Sequence, residues 1–274
     1  MTYKQIILAL QQVGIESAKD EARLLLEHFC GVTPAQLPFR MDEEFSCDRL
    51  MDAIARRQAH EPLQYLLGEW EFFGLPFEVS PDCLIPRADT ELLVEQAIAR
   101  MPQGAHFADF CTGSGCIACA VLVNRRDVHA TLVDAFAPTL QMAARNCEKN
   151  GVSDRSELLL RDLLLPMDGM FDRKFDCILS NPPYIPTEVV KGLAPELAYE
   201  PQVALDGGAD GMRFYKHFLL QSAHVLKQGG FWLFEIGFDQ ADAMKSIAAQ
   251  LGFACEVERD LGNNPRVAFV YTES

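Results

Sequence analysis

From His106 to Tyr271, short apolar runs alternate with amphipathic segments of helix length, and no other feature limits the possible folds as tightly. Strands are expected at 106–110, 130–133, 158–160, 175–179 and 231–236, interleaved with helices at 116–123, 138–150, 211–226 and 240–251. Gly229-Gly230 is expected to close the third of these helices. Two further runs, 253–258 and 267–271, have no helix between them and should pair as an antiparallel hairpin. The alternation predicts an α/β fold, a seven-stranded, mostly parallel sheet with helices on both faces and an antiparallel last strand.

The chain ahead of this pattern reads differently. Thr2 and Gln5 make a capping box before Ile6, Ile7 and Leu10. Ser17 is expected to cap a second helix that Gly31 ends, Thr33-Pro34 to open a short third one, and Ser46 a fourth carrying Leu50 and Ile54. Short connections between amphipathic helices predict a small bundle over 1–67. Residues 68–85 are aromatic and β-branched, broken by Gly74 and Pro76, and predict a β-hairpin linker. In Pro86-Arg87-Ala88-Asp89-Thr90-Glu91, Asp89 or Thr90 is expected to cap the next helix; capping is the default role of this charged cluster, and a tie from Arg87 between the linker and the ligand loops is the alternative.

Chemistry concentrates where strands end, which is where open α/β sheets bind ligands. Asp109-Phe110-Cys111-Thr112-Gly113-Ser114-Gly115 joins the first strand to its helix, and its glycines permit a tight turn and close ligand approach. Asp134 closes the second strand, placed to accept ribose hydroxyls; Asp162 follows the third, placed to accept from an adenine amino group, with Leu163 packing on the ring. Gly113-x-Gly115-x-x-Ala118 also fits the dinucleotide fingerprint. A pyrophosphate gives the acids no task, whereas the ammonium of S-adenosylmethionine gives Asp109 one, so the acids favour the methyl donor. Loop capping remains the alternative for each acid taken singly. After the fourth strand comes Ser180-Asn181-Pro182-Pro183-Tyr184-Ile185. Two prolines stiffen the backbone and leave its carbonyls as acceptors. The Asn181 amide both donates and accepts, and Tyr184 adds a flat ring, a combination suited to a planar NH2 group.

A net charge of −15 disfavours indiscriminate nucleic-acid binding. No run reaches membrane-spanning length and no secretory signal follows the N-terminus. Nine cysteines, several in apolar segments, read as core residues of a reduced cytoplasmic protein, and no metal site is expected; Cys116 and Cys119 have metal-pair spacing without a second pair nearby.

With these residues in place, the chain resembles the class I S-adenosylmethionine-dependent methyltransferases, with their Rossmann-like domain over 86–274, and among them the peptide chain release factor N5-glutamine methyltransferases. The likeness covers essentially the whole chain. It rests on EPLQYLLGEWEFFGLPFEVSPDCLIPRADTELLVEQ from Glu61, DFCTGSGCIA from Asp109, RDLL from Arg161, NPPYI from Asn181, PELAYEPQVALDGGADGMRFY from Pro195 and FEIGFDQ from Phe234. The resemblance implies that Asp109, Phe110, Cys111, Thr112, Gly113, Asp134, Leu163 and Asn181 line the cofactor. It implies that Asn181, Pro182, Pro183 and Tyr184 hold the glutamine amide of the Gly-Gly-Gln loop of a class 1 release factor; the helical bundle, which carries no evident chemistry, is expected to recognise such a macromolecular substrate or to cap the site. Three departures stand out. Cys111 replaces a usual glycine, Ala88 a usual proline, and Asn263-Asn264-Pro265-Arg266 an altered turn that leaves the role of Arg266 open.

An amide nitrogen is a poor nucleophile, so catalysis should consist mainly of alignment. The Asn181 oxygen and the Pro182 carbonyl would each accept one substrate N–H, with Tyr184 packed against the amide, and no general base is expected. Glu196, Glu200, Asp206 and Asp210 are candidates to bind the substrate main chain or, as readily, to cap loops. The rival readings are an adenine-N6 nucleic-acid methyltransferase, which also handles a planar NH2 group but needs a basic groove, a non-catalytic binding protein, and an NAD-linked dehydrogenase.

Overall fold

Thr2 starts the first helix as the capping box requires: its hydroxyl accepts from the Gln5 amide at 3.3 Å, and Gln5 Oε1 accepts from the Thr2 amide at 2.9 Å. The computed structural model describes residues 1–273. Helices α1 (Tyr3–Gln11), α2 (Ala18–Cys30), α3 (Asp48–Gln58) and α4 (Leu63–Leu67) make one unit, Met1–Glu69, to which Ala194–Tyr199 also belongs. Gly31 ends α2 in the left-handed region (φ 65°), as its lack of a Cβ allows. Two expected helix starts and one cap bond are corrected; Ser17 does stand at the N-cap position of α2. Ser17 makes no cap bond; its hydroxyl donates instead to Glu21 Oε1 at 2.8 Å. Thr33-Pro34 opens a turn, and helical structure comes later as a 3-10 turn at Leu37–Phe39. Cys47, not Ser46, caps α3, its sulfur accepting from the Leu50 amide at 3.4 Å.

The unit's buried charge is paired. Glu21 and Arg57 form a two-bonded ion pair at 2.6 and 3.2 Å. Glu196 accepts from Arg57 at 3.1 Å and lies 3.1 Å from His60 Nδ1, and the Tyr199 hydroxyl donates to the Ala59 carbonyl at 2.8 Å. Removing one member of such a set leaves a buried charge uncompensated, at a cost of about 3–5 kcal/mol.

The second unit comprises Trp70–Leu193 and the chain from Glu200 onward. A hairpin, β1 (Glu69–Phe72) and β2 (Leu75–Glu78), turns at Phe73-Gly74, both with positive φ (53° and 70°), the geometry that matches strand twist. After it come α5 (Glu91–Arg100), β3 (His106–Phe110), α6 (Cys116–Asn124), β4 (His129–Asp134), α7 (Ala137–Lys149), β5 (Ser156–Leu160) and β6 (Phe175–Ser180). The chain then runs through α8 (Thr187–Val190), α9 (Arg213–Ser222), β7 (Leu226–Glu235), α10 (Ala241–Gln250), β8 (Ala254–Arg259) and β9 (Pro265–Tyr271).

Strands β3 to β9 form one sheet of seven in the order β5-β4-β3-β6-β7-β9-β8, parallel from β5 to β7, with β9 antiparallel to both its neighbours. The fold class read from the alternation is thus the one found. Both faces are buried. Phe107, Leu132, Leu179 and Leu233 pack on one side with α5 to α7, and Phe110, Ile178, Trp232 and Phe234 on the other with α9 and α10. Each such side chain contributes about 1.5–3 kcal/mol. The glycine pair at Gly229-Gly230 does not end a helix. Helix α9 stops at Ser222, one 3-10 turn follows, and both glycines lie inside β7 where its register against β6 slips. A Cβ on Gly230 would stand 2.9 Å from the Lys227 carbonyl and 3.1 Å from that of Asp176, so this bulge requires a glycine. Among the described residues, no helix is long and apolar enough to cross a membrane.

The strand order reverses between β3 and β6. One branch runs outward through β4 and β5, the other through β6 and β7, and their C-terminal ends part to leave a crevice.

Candidate functional site

That crevice is a cavity of about 520 Å³. Its walls include Cys111, Thr112, Gly113, Asp134, Asp162, Leu163, Asn181 and Pro183. The loop after β3 turns on three left-handed residues, Cys111 (φ 58°), Gly113 (φ 55°) and Gly115 (φ 78°). Cys111 therefore keeps the backbone a glycine would take and carries about 1–2 kcal/mol of strain for its side chain. The two glycines differ in purpose. A Cβ on Gly113 would meet open space, whereas one on Gly115 would stand 3.2 Å from the Ala143 Cβ, so Gly115 serves the packing of α6 on α7 rather than a ligand.

Asp134 ends β4 with both oxygens toward the loops: Oδ2 accepts from the Gly113 amide and Oδ1 from the Phe136 amide, each at 3.1 Å. Each oxygen retains capacity for a further donor. Burial raises its carboxyl above the ordinary value against the pull of those amides. Asp162 accepts from the Leu164 amide at 2.9 Å, and Leu163 is buried beside it. Asp109 and Phe110 do not line the cavity. Asp109 is fully buried behind the loop, where Oδ2 accepts from the Thr112 hydroxyl at 2.6 Å and Oδ1 has no partner among the described residues. Burial pushes that carboxyl up to about 7. Phe110 stacks on Phe171 at 5.8 Å in the opposite core.

At the end of β6, the Ser180 hydroxyl donates to the Phe110 carbonyl at 2.6 Å and pins the strand end to β3. Asn181 follows, at the cavity wall. Its Nδ2 donates to Thr90 Oγ1 at 3.2 Å, and Thr90 in turn donates to Glu235 Oε2 at 2.5 Å. Thr90 thus stands at the expected N-cap position of α5 but spends its hydroxyl on Glu235, and neither it nor Asp89 makes a side-chain bond to the start of the helix. Pro182 is buried and Tyr184 half-buried, both off the cavity wall, and the Tyr184 hydroxyl donates to Glu235 Oε1 at 3.2 Å. Glu235 is fully buried; desolvation pushes it up to about 7, opposed by Thr90, Arg266 and Tyr184. Arg266, left open by the altered turn, lies between Asp89 (3.0 Å) and Asp260 (3.3 Å).

The proline loop rests on backbone. Ile185 donates to the Leu205 carbonyl at 3.0 Å, and Gly207 donates to the Ile185 carbonyl at 2.8 Å. A Cβ on Gly207 would stand 2.6 Å from Tyr184 Cα. Gln240 Nε2 holds the Tyr184 carbonyl at 2.9 Å. Sequence reasoning passed over Thr90 as an acceptor-loop residue, and over Glu235, Gly207 and Gln240. Their one signal was membership in the matching motifs.

The four acids after the loop are committed internally. Glu196 pairs with Arg57, Asp206 with the Thr187 hydroxyl at 2.7 Å, and Asp210 with Lys216 at 2.6 Å. Glu200 accepts from the Ile85 amide at 3.0 Å and pairs with Arg87, which is how Arg87 ties the linker to the loops. Among the described residues no cluster of metal-ligating side chains occurs.

The profile of the PrmC N-terminal domain matches residues 2–68, and that of the methyltransferase small domain matches residues 88–208. A release factor glutamine methyltransferase of Geobacter sulfurreducens is 38% identical over 94% of this chain and 91% of its own. One of Moorella thermoacetica is 41% identical over 87% of this chain and 85% of its own. In fold, the chain is similar to a methyltransferase from Pyrococcus furiosus, at a TM-score of 0.55 and 17% identity over 81% of this chain and 95% of that one.

Proposed function

The chain belongs to the release factor glutamine methyltransferase family and is an S-adenosylmethionine-dependent methyltransferase, and from that premise we propose that it methylates N5 of the glutamine in the Gly-Gly-Gln motif of class 1 release factors. The observation that carries this reading is the tie between Asn181 and Thr90. It commits the amide nitrogen and leaves the amide oxygen as an acceptor at the wall of the strand-end cavity.

The residues present fit the cofactor. Asp134 has free acceptor capacity for ribose hydroxyls, Asp162 and Leu163 suit the adenine, and the loop Cys111–Gly113 borders the same cavity. Asp109 supports the loop through Thr112 from behind, off the cavity wall. When bound, S-adenosylmethionine supplies an electrophilic methyl group on a sulfonium whose leaving group is a neutral thioether. Asn181 Oδ1, at the wall, accepts one N–H of the glutamine amide, and the backbone carbonyl of Pro182, a residue off that wall, is the candidate acceptor for the other; together they would orient the nitrogen lone pair and stabilise positive charge as it develops. Tyr184 anchors the loop through Glu235 and is the candidate to flank the amide. Residues 1–67 would recognise the release factor, 68–85 link, and 86–274 carry the chemistry, in the cytoplasm where the cysteines stay reduced.

Incubation with labelled S-adenosylmethionine and a purified release factor, followed by mass mapping, tests the reading. One methyl on the Gly-Gly-Gln glutamine is expected. Label on DNA adenine instead would favour the nucleic-acid alternative.

The loop's backbone seating gives a second expectation. Gly207→Ala forces a methyl against Tyr184 Cα. Overpacking of this kind costs about 1–3 kcal/mol. Displacing the loop by a fraction of an ångström should lower turnover by ~10-fold or more. A thermal melt and a methyl-transfer assay measure both, and wild-type values in each would mean the loop is not held from below.

A further inference from the structure

A side-chain amide can be seated two ways, and only one suits a clamp for a substrate NH2. With Oδ1 toward the acceptor, Asn181 receives an N–H; turned over, it presents a second NH2 and repels one. Nothing within Asn181 decides between these states, since its two ends have the same shape.

The decision is made behind it. The Thr90 hydroxyl has one proton. At 2.5 Å from Glu235 Oε2 that proton goes to the carboxylate, because an ionised carboxylate can only accept. The Thr90 oxygen is left with lone pairs toward Asn181, so the end of the amide it will bond is Nδ2, 3.2 Å away. Resting on the reading of Asn181 as the acceptor clamp, we propose that Glu235, acting through Thr90, sets which end of the Asn181 amide faces the substrate, and that both are positioning residues for methyl transfer. A chain of donors running from Asn181 to Thr90 to Glu235 holds only while Glu235 is ionised. A proton on Oε2 lets Glu235 donate to Thr90; Thr90 can then donate to Oδ1, and the amide turns over.

The surroundings bear on that proton. Tyr184 donates to Oε1, and the Tyr215 hydroxyl donates to the Glu235 carbonyl at 2.8 Å. Arg266 on β9 favours the ionised form, and Asp89, paired with Arg266, opposes it. Cys116 on α6 and the Tyr215 phenol are buried neutral neighbours, both pushed up by burial. These contributions leave Glu235 at about 7, so the relay should switch near neutral pH.

Two measurements test the relay. The first needs no turnover: the side-chain amide resonance of Asn181 in uniformly 15N-labelled protein, identified by its loss in Asn181→Ala, is followed from pH 5.5 to 8.5. It should titrate with a midpoint near that of Glu235 and stay flat in Glu235→Gln and Thr90→Val. The second is kcat at saturating S-adenosylmethionine and release factor. Wild-type kcat should fall ~10-fold per pH unit below the midpoint. Thr90→Val should be slow by ~10-fold or more with the cofactor KM unchanged, and Thr90→Ser should recover most of the loss. A resonance that does not titrate, or a Thr90→Val enzyme with wild-type kcat and pH profile, overturns the proposal. A resonance that titrates as expected while no glutamine is methylated supports the relay and overturns instead the substrate reading.

Discussion

Asn181→Ala is expected to lower turnover by ~10²-fold or more while weakening the cofactor far less. The side chain offers one acceptor oxygen at the cavity wall, because its nitrogen is held by Thr90. Losing that acceptor leaves a substrate N–H unpaired where charge develops, and frees the amide to rotate out of line with the methyl. The fold should survive, since Ser180 and Gly207 hold the loop through bonds that do not involve Asn181. Calorimetry with S-adenosylmethionine beside single-turnover methyl transfer separates the two effects. A variant with near-normal turnover would remove Asn181 from the mechanism.

Asp134→Ala should do the reverse. Two charge-assisted hydrogen bonds to ribose hydroxyls, together worth about 3 kcal/mol, disappear. The cofactor Kd should rise by ~10²-fold. The same substitution removes the acceptors for the Gly113 and Phe136 amides, so part of the loss comes from a looser loop. At saturating cofactor, kcat should stay within about threefold of wild type, because Asp134 contributes to binding the donor and not to aligning the acceptor. A titration of Kd with a parallel measurement of kcat decides it. A fall in kcat at saturation with unchanged Kd would contradict the ribose assignment.

What could be read from the chain was what periodicity and local chemistry carry. Strand β3 begins and ends where the apolar run does, Gly31 ends its helix, and the Thr2 box closes on itself within three residues. Misreadings arose where a local role and a distant one compete for the same side chain. Thr90 has the chemistry of a helix cap, but its hydroxyl goes to a carboxylate 145 residues away. Ser17 gives up a cap to steady Glu21, which a buried arginine needs as its counter-ion. Gly229-Gly230 looks like a helix stop, and its actual use, a bulge fitted against Asp176 on a neighbouring strand, exists only once the sheet is formed. The acids after Asn181 looked available in sequence because their partners Arg57, Arg87, Thr187 and Lys216 are brought to them by the fold. The candidate acceptor loop was legible as a loop; the relay behind it was not.

Ala194–Tyr199 changes how the molecule can be taken apart. The chain passes between its two units at 69/70, at 193/194 and again at 199/200. The helical unit is therefore not a module that a cut at residue 69 would detach cleanly. Such a cut would remove Arg57, Ala59 and His60 and strip Glu196 and Tyr199 of their partners, on the same stretch that continues into Glu200 and its hold on Ile85 and Arg87. A chain threaded this way cannot inherit its helical part by simple end-to-end gene fusion and keep it exchangeable. Substitutions on α3 and in the segment around Glu196 have to change in step, and a chimaera between two such proteins should be spliced with both pieces taken from the same parent.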